Sequence, residues 1–264
     1  ALQSKKHTVA MTGDGVNDVL ALKEADCSVA MASGSDVAAQ ISDLVLMNSD
    51  FSSMPSVVAE GRRVINNIER AASLYLVKNI FSLILAVISI TAAFSYPLTP
   101  SQLTLMSLLA IGIPSLILAL EPNENLVQGK FLRNAILRAL PAAFTDLFII
   151  IFVLLFQQAF QINNNEISTI TALLVTIVGF FMLWKVAKPV NKLHVGMMAG
   201  LIAALVFIFL FLPGLFSLSP LSFGGYLILI LFTLLIPSVI WLLNKALEGL
   251  LLLLQKAEGG KHAA

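Results

Sequence analysis

Two carboxylates and a carboxamide, Asp14, Asn17 and Asp18, fall within five residues in the run MTGDGVNDVLALK over residues 11–23. All three side chains offer hard oxygen, the donor type that Mg²⁺ selects. Gly13 and Gly15 flank Asp14. The backbone can therefore turn sharply there and approach a ligand closely. Such a cluster needs one element that ends near Gly13 and another that restarts near Val16. The short apolar run over 8–11 reads as a buried strand, and 16–24 as a helix. Asp14 and Asp18 then sit at the carboxyl end of a strand, the edge at which open α/β sheets bind ligands.

The neighbouring sequence repeats the alternation. Residues 27–31 and 44–47 read as strands and 35–41 as a helix, with Ser35 as its N-cap. Strands alternating with short helices predict a parallel sheet. A parallel sheet needs cover on both faces. A three-stranded piece is therefore expected to be part of a domain whose remainder lies upstream or on another chain. The single cysteine, Cys27, excludes an internal disulfide framework and reads as a buried strand thiol.

The rest of the chain is of a different character. The 264 residues are 58% hydrophobic and 12% charged, with a mean hydropathy of +0.91. Soluble domains carry roughly 25% charged residues. The fold class expected is a membrane all-α bundle preceded by a partial α/β segment. A net charge of +1 gives no reason to expect a nucleic-acid partner. Residues 54–70 read as an amphipathic stalk helix running into the first apolar stretch, or as a basic helix resting on lipid headgroups. Six spans follow at 71–94, 103–120, 139–160, 167–186, 195–212 and 221–243, before a tail over 244–264. Each is near the ~20 residues that cross a bilayer. The loops after the second and fourth spans carry Lys130, Arg133 and Arg138, then Lys185, Lys188 and Lys192; the tail carries Lys245, Lys256 and Lys261. The other loops carry no Lys or Arg. The positive-inside rule puts both termini, and the Asp14 cluster with them, in the cytoplasm.

Polar groups inside the spans are the next candidates, because intramembrane charges pair or mark a transport path. Lys78 and Asn79 lie about two turns into the first span and Asp146 about two turns into the third, roughly 10 Å below the interface in each case. An ion pair between Lys78 and Asp146 is expected; the alternative is that Lys78 snorkels alone. Gly112 and Pro114 interrupt the second span. They predict either a packing kink or a broken helix whose carbonyls serve as ion ligands. Ser107, Ser115 and Glu121 are the other polar groups of this span, with Glu121 read as a solvated boundary residue. Thr169, Thr171 and Thr176 are expected to bond back to their own helix.

Residues 11–23 resemble the TGDGVNDxxAL signature of P-type ATPases, whose phosphorylation domain is of the haloacid-dehalogenase type. The likeness continues through Ala25-Asp26, Val29-Ala30-Met31, Ser42-Asp43-Leu44-Val45-Leu46, Glu60-Gly61-Arg62-Arg63-Val64 and Asn67-Ile68. Six spans after a stalk also match the family's C-terminal half. The resemblance implies that Asp14 coordinates a catalytic Mg²⁺, with Asn17 and Asp18 supporting the phosphorylated aspartate and its metal. It further implies use of ATP, bound mainly by missing N-terminal portions of the pump. The lipid bilayer and a transported cation are the other partners, and the plasma membrane of a bacterium the location.

The departures are as specific. No DKTGT nucleophile motif and no TGE loop occur in the sequence. The chain alone is therefore expected to be inactive. In the calcium-pump branch the fifth helix carries a Glu three residues after an Asn; here Asn79 is followed by Ser82. Aligned on Gln102-Leu103 and Pro114, the sixth-helix ligand positions hold Ser107, Ala110 and Ile111, so the two-calcium set is absent. The expected cargo is calcium, another metal or a monovalent cation. An inactive or regulatory fragment and, further off, a lipid flippase are the alternatives.

Overall fold

The computed structural model describes residues 2–259, with side chains described through residue 253. It divides into two compact units, Ala1–Arg62 and Arg63–Ala264. Lys261 and the side chain of Lys256, used above for the charge of the tail, lie outside the described residues.

In the first unit, β1 (Ala10–Gly13), β2 (Cys27–Met31) and β3 (Leu44–Leu46) form a parallel sheet in that order. Ala10 pairs with Cys27 and Gly13 with Ala30, while Val29 pairs with Leu44. The crossovers are α1 (Val19–Glu24) and α2 (Asp36–Ile41). The Ser35 hydroxyl caps α2 by accepting from Val37 N at 3.2 Å. The first strand lies two residues later than the apolar run suggests. Thr12 and Gly13 join the ladder because their backbone groups pair with Val29 and Ala30, whatever their side chains. The expected helix over 16–24 splits into a 3-10 turn, Val16–Asp18, and α1. The core is small, built on Leu22, Ala30 and Ala38. Cys27 is half-buried rather than buried. Parallel sheets bury both faces, and the exposed Leu20, Val37 and Met47 show that these residues alone do not achieve this.

In the second unit the chain is helical. Among the described residues six helices are long and apolar enough to cross a membrane. The first lies in α3, which spans Met54–Thr91 without interruption. The second is a composite of α4 (Pro100–Met106), a π-helical segment (Ser107–Gly112) and α5 (Ile113–Ala119). The others are α6 (Phe131–Phe160), α7 (Asn164–Val186), α8 (Lys192–Phe211) and α9 (Phe223–Gly259). Thr99 starts α4 in a capping box with Gln102, and Pro100 takes the first helical position. Helix α6 begins eight residues before the expected span at 139, since Arg133 and Arg138 can lay their stems along the helix while their heads stay polar. Helix α7 is central, packed against α4, the π segment, α6 and α9. A Cβ on Gly179 would stand 2.5 Å from Ala110 Cβ, so the glycine lets α7 approach the π segment.

Candidate functional site

The carboxyl end of β1 is held by Asp18. Its Oδ2 accepts from Asp14 N at 3.2 Å and Gly15 N at 3.1 Å. The two backbone donors close the turn around one carboxylate oxygen. Gly13 has no room for a side chain, because a Cβ there would sit 2.7 Å from Asp18 Cβ. On the other side the loop before α2 leans on Asp14. Ser35 N donates to Asp14 O at 2.7 Å. A Cβ on Gly34 would lie 2.9 Å from Asp14 Cα and nearer still to its carbonyl oxygen. The Asp14 backbone is thus pinned from both sides. Its carboxylate is exposed and makes no hydrogen bond or ion pair among the described residues, and the Asn17 side chain is likewise exposed. The part that Gly34 and Ser35 play here is not visible in the sequence. Their one signal is a glycine between a strand and a helix cap.

The residues present fit Mg²⁺ in part. That ion keeps several waters and is bound by one or two carboxylates plus substrate phosphate. Asp14 offers a free carboxylate, and Asp18 an oxygen that the turn does not use. Among the described residues no group of three or more His, Cys, Asp or Glu could hold a metal. The turn therefore supplies some of the ligands and not a closed site.

Within the bundle the expected Lys78–Asp146 pair does not form. Lys78 Nζ donates to Ser107 Oγ at 2.6 Å, on the first residue of the π segment. Asp146 belongs to α6, whose buried face packs on α7 and α9 instead. It is 0% exposed, and neither carboxylate oxygen has a hydrogen-bond partner among the described residues. Thr171 Oγ1 and Ser115 Oγ are likewise buried without partners among the described residues. Thr171 thus departs from the expected back-bonding, which Thr169 and Thr176 do show at 3.0 Å to Asn165 O and 2.8 Å to Ala172 O. Ser82 Oγ lies 3.2 Å from Tyr96 Oη, and Asn79 is on an exposed face. The interruption predicted at Pro114 takes the form of the π segment, in which Ile113 N bonds to Leu108 O. Segments of this type inside α-helices are frequent at functional sites.

The end of the bundle with the basic loops holds a network that the sequence did not announce. Glu121 is not a solvated boundary residue. Its carboxylate accepts from Arg70 Nη1 at 2.6 Å, Asn191 Nδ2 at 3.0 Å and His194 Nε2 at 3.1 Å. Asn191 N donates to His194 Nδ1 at 3.3 Å, which leaves Nε2 as the donor to Glu121 in a neutral ring. Arg70 also donates to Lys188 O at 3.2 Å. Beside it, Glu69 pairs with Arg138 at 3.0 Å and accepts from Asn134 at 3.2 Å. Arg70, Glu69 and His194 are each 5% exposed or less. These contacts join α3, the end of α5, α6 and the start of α8.

Comparison with known proteins agrees with both parts of this description. Residues 1–54 match the family model of haloacid dehalogenase-like hydrolases. A probable cation-transporting ATPase of Streptococcus pneumoniae is 42% identical over 196 residues, 71% of this chain and 25% of that protein. A calcium-transporting ATPase of Mycolicibacterium smegmatis is 38% identical over 224 residues, 79% of this chain and 28% of that protein. A P-type sodium-transporting ATPase of Toxoplasma gondii is 42% identical over 126 residues, 47% of this chain and 9% of that protein. The chain thus spans about a quarter of the length of the first two. With a haloacid dehalogenase-like segment, a GDGVND turn on a strand end and six apolar helices, the chain belongs to the family of P-type cation-transporting ATPases.

Proposed function

We propose that the chain forms part of an ATP-driven cation pump that couples formation and hydrolysis of an aspartyl phosphate to ion movement. The observation that carries this reading is the Asp14 turn. A carboxylate with no partner stands at the carboxyl end of β1, on a backbone fixed by Asp18 and Ser35. Asp14, with Asp18, would hold Mg²⁺, which offsets phosphate charge during phosphoryl transfer. Asn17 would donate to the phosphoryl group. The nucleophilic aspartate and the ATP-binding residues belong to other parts of the pump.

In the membrane we assign the ion path to Lys78, Asn79, Ser82, Ser107, Pro114 and Asp146. Asp146 is the carboxylate that awaits a ligand. Calcium takes six to eight oxygens, and the scarcity of carboxylates supports at most one divalent ion, or a monovalent one. Lys78, held by Ser107, acts as a built-in positive charge in place of a counter-transported ion. The Lys and Arg distribution supports cytoplasmic termini in the plasma membrane of a bacterium. The test is ATP hydrolysis by the full-length pump against a panel of cations, with Asp14→Asn as control. Stimulation by one cation, abolished by the substitution, is expected. Hydrolysis that no cation stimulates would refute the reading.

A further inference from the structure

A cavity of about 290 Å³ opens at the basic-loop end of the bundle, lined among others by Asn66, Arg70, Asn123, Arg138, Lys185 and Lys188. That is near the lower edge of small-ligand sites, roughly 300–1,000 Å³. It holds a head group and not a whole amphiphile. Four of its lining residues are cations and none is an acid. Two of those charges are already answered, Arg70 by Glu121 at 2.6 Å and Arg138 by Glu69 at 3.0 Å. Lys185 meets only the neutral side-chain oxygen of Asn244 as a hydrogen-bond acceptor. The Lys188 side chain is exposed and has no hydrogen bond or ion pair among the described residues. Glu248, which does not line the cavity, stands close enough to Lys185 to interact with its charge. The cavity therefore keeps the Lys188 charge unanswered and the Lys185 charge answered only from outside it, together with unused N–H donors on Lys185, Lys188 and Arg138. Two further features fix its level. Lys185 lies in the last turn of α7, and Lys188 in the loop that leads to α8. Both stand where an apolar span ends, the level at which a bilayer presents its head groups.

We propose that this cavity binds the phosphodiester head group of an anionic phospholipid, with Lys185 and Lys188 as its charge partners and Arg138 as a hydrogen-bond donor. Basic pockets between membrane helices suit such head groups. Arg70 lines the cavity and is bonded to Glu121, which also accepts from His194, so an occupied cavity bears through Arg70 on the residues that join α3 to α8. Free phosphate offers the same chemistry, and competition separates the two sources.

The test uses the full-length pump in nanodiscs of mixed phosphatidylglycerol and phosphatidylcholine. The lipid that stays bound through delipidation is counted by native mass spectrometry. Phosphatidylglycerol is expected to be retained preferentially. Each of Lys185→Gln and Lys188→Gln should lower that preference by about fivefold, the worth of one basic charge near an anionic surface. Lys188→Arg should keep it, and Lys192→Gln, an exposed neighbour outside the cavity, should leave it unchanged. Arg138 stays in place because its removal would orphan the buried Glu69. Equal retention of both lipids, or a loss that Lys192→Gln reproduces, would overturn the proposal. Displacement of the lipid by millimolar inorganic phosphate would overturn the assignment to lipid.

Discussion

Glu121 and Asp146 are two carboxylates of one helical bundle, treated in opposite ways. Glu121 accepts from Arg70, Asn191 and His194. Asp146 is more deeply buried and accepts from nothing among the described residues. A buried carboxylate without partners is costly, whereas a hydrogen-bonded one need not be. The nearest candidate cation by depth, Lys78, is bonded to Ser107 instead. Under the proposed function, the difference separates a structural charge from one kept open for a ligand. It implies opposite responses to mutation, and the following substitutions are ordered by expected size.

Arg70→Ala should be the most harmful to stability. It takes from the partly buried Glu121 its charged partner and leaves only Asn191 and His194, a loss of up to about 3 kcal/mol, the lower end for a broken buried pair, read as a lower unfolding temperature of the full-length pump. Little change would mean that the network is ornamental. Asp146→Leu should go the other way. Removing an unpartnered buried polar group relieves about 1–3 kcal/mol, so the unfolding temperature should hold or rise. A fall as large as that of Arg70→Ala would erase the contrast.

The turn near Asp14 repeats the comparison on a smaller scale. Asp18→Ala removes the acceptor for two backbone N–H groups and should cost roughly 1–2 kcal/mol, seen as faster hydrogen exchange at Asp14 and Gly15. Asp14→Asn should leave exchange there unchanged while abolishing hydrolysis. The smallest effect concerns pH. Asp43 accepts from the backbone N–H and hydroxyl of Ser28, at 2.8 and 2.9 Å, which hold its carboxyl below the ordinary 3.8. Its folded value is depressed, so its contribution is present above the unfolded value and lost as pH falls through the folded one. An acid titration followed by exchange of the β2–β3 amides should show this below about pH 4. Asp43→Asn should flatten it.

Much of the fold was legible in the sequence because its signals are local. Alternating short apolar runs gave the parallel sheet, Ser35 its cap, and uncharged stretches of span length the six helices. Pro114 announced the break in the second span, though not that it would be π-helical. The start of β1 was misplaced because ladder pairing with β2 carries Thr12 and Gly13 along. What could not be read were contacts between residues far apart in the chain. Lys78 and Asp146 invite pairing by depth alone, but which face each side chain takes depends on the packing of α6 against α7 and α9. Glu121 looked solvated because Asn191 and His194 lie seventy or more residues away. In the signature itself, Asp14 and Asp18 were visible as a pair. Their division of labour, one holding the turn and one left open, needed the geometry.

The most direct test of this contrast is cation transport by the reconstituted full-length pump carrying Asp146→Asn, measured beside its unfolding temperature. If Asp146 is kept open for the transported ion, transport and cation-stimulated hydrolysis fall by at least about tenfold, the effect of 1.4 kcal/mol or more, while the unfolding temperature holds. Wild-type transport at the same unfolding temperature would contradict the account.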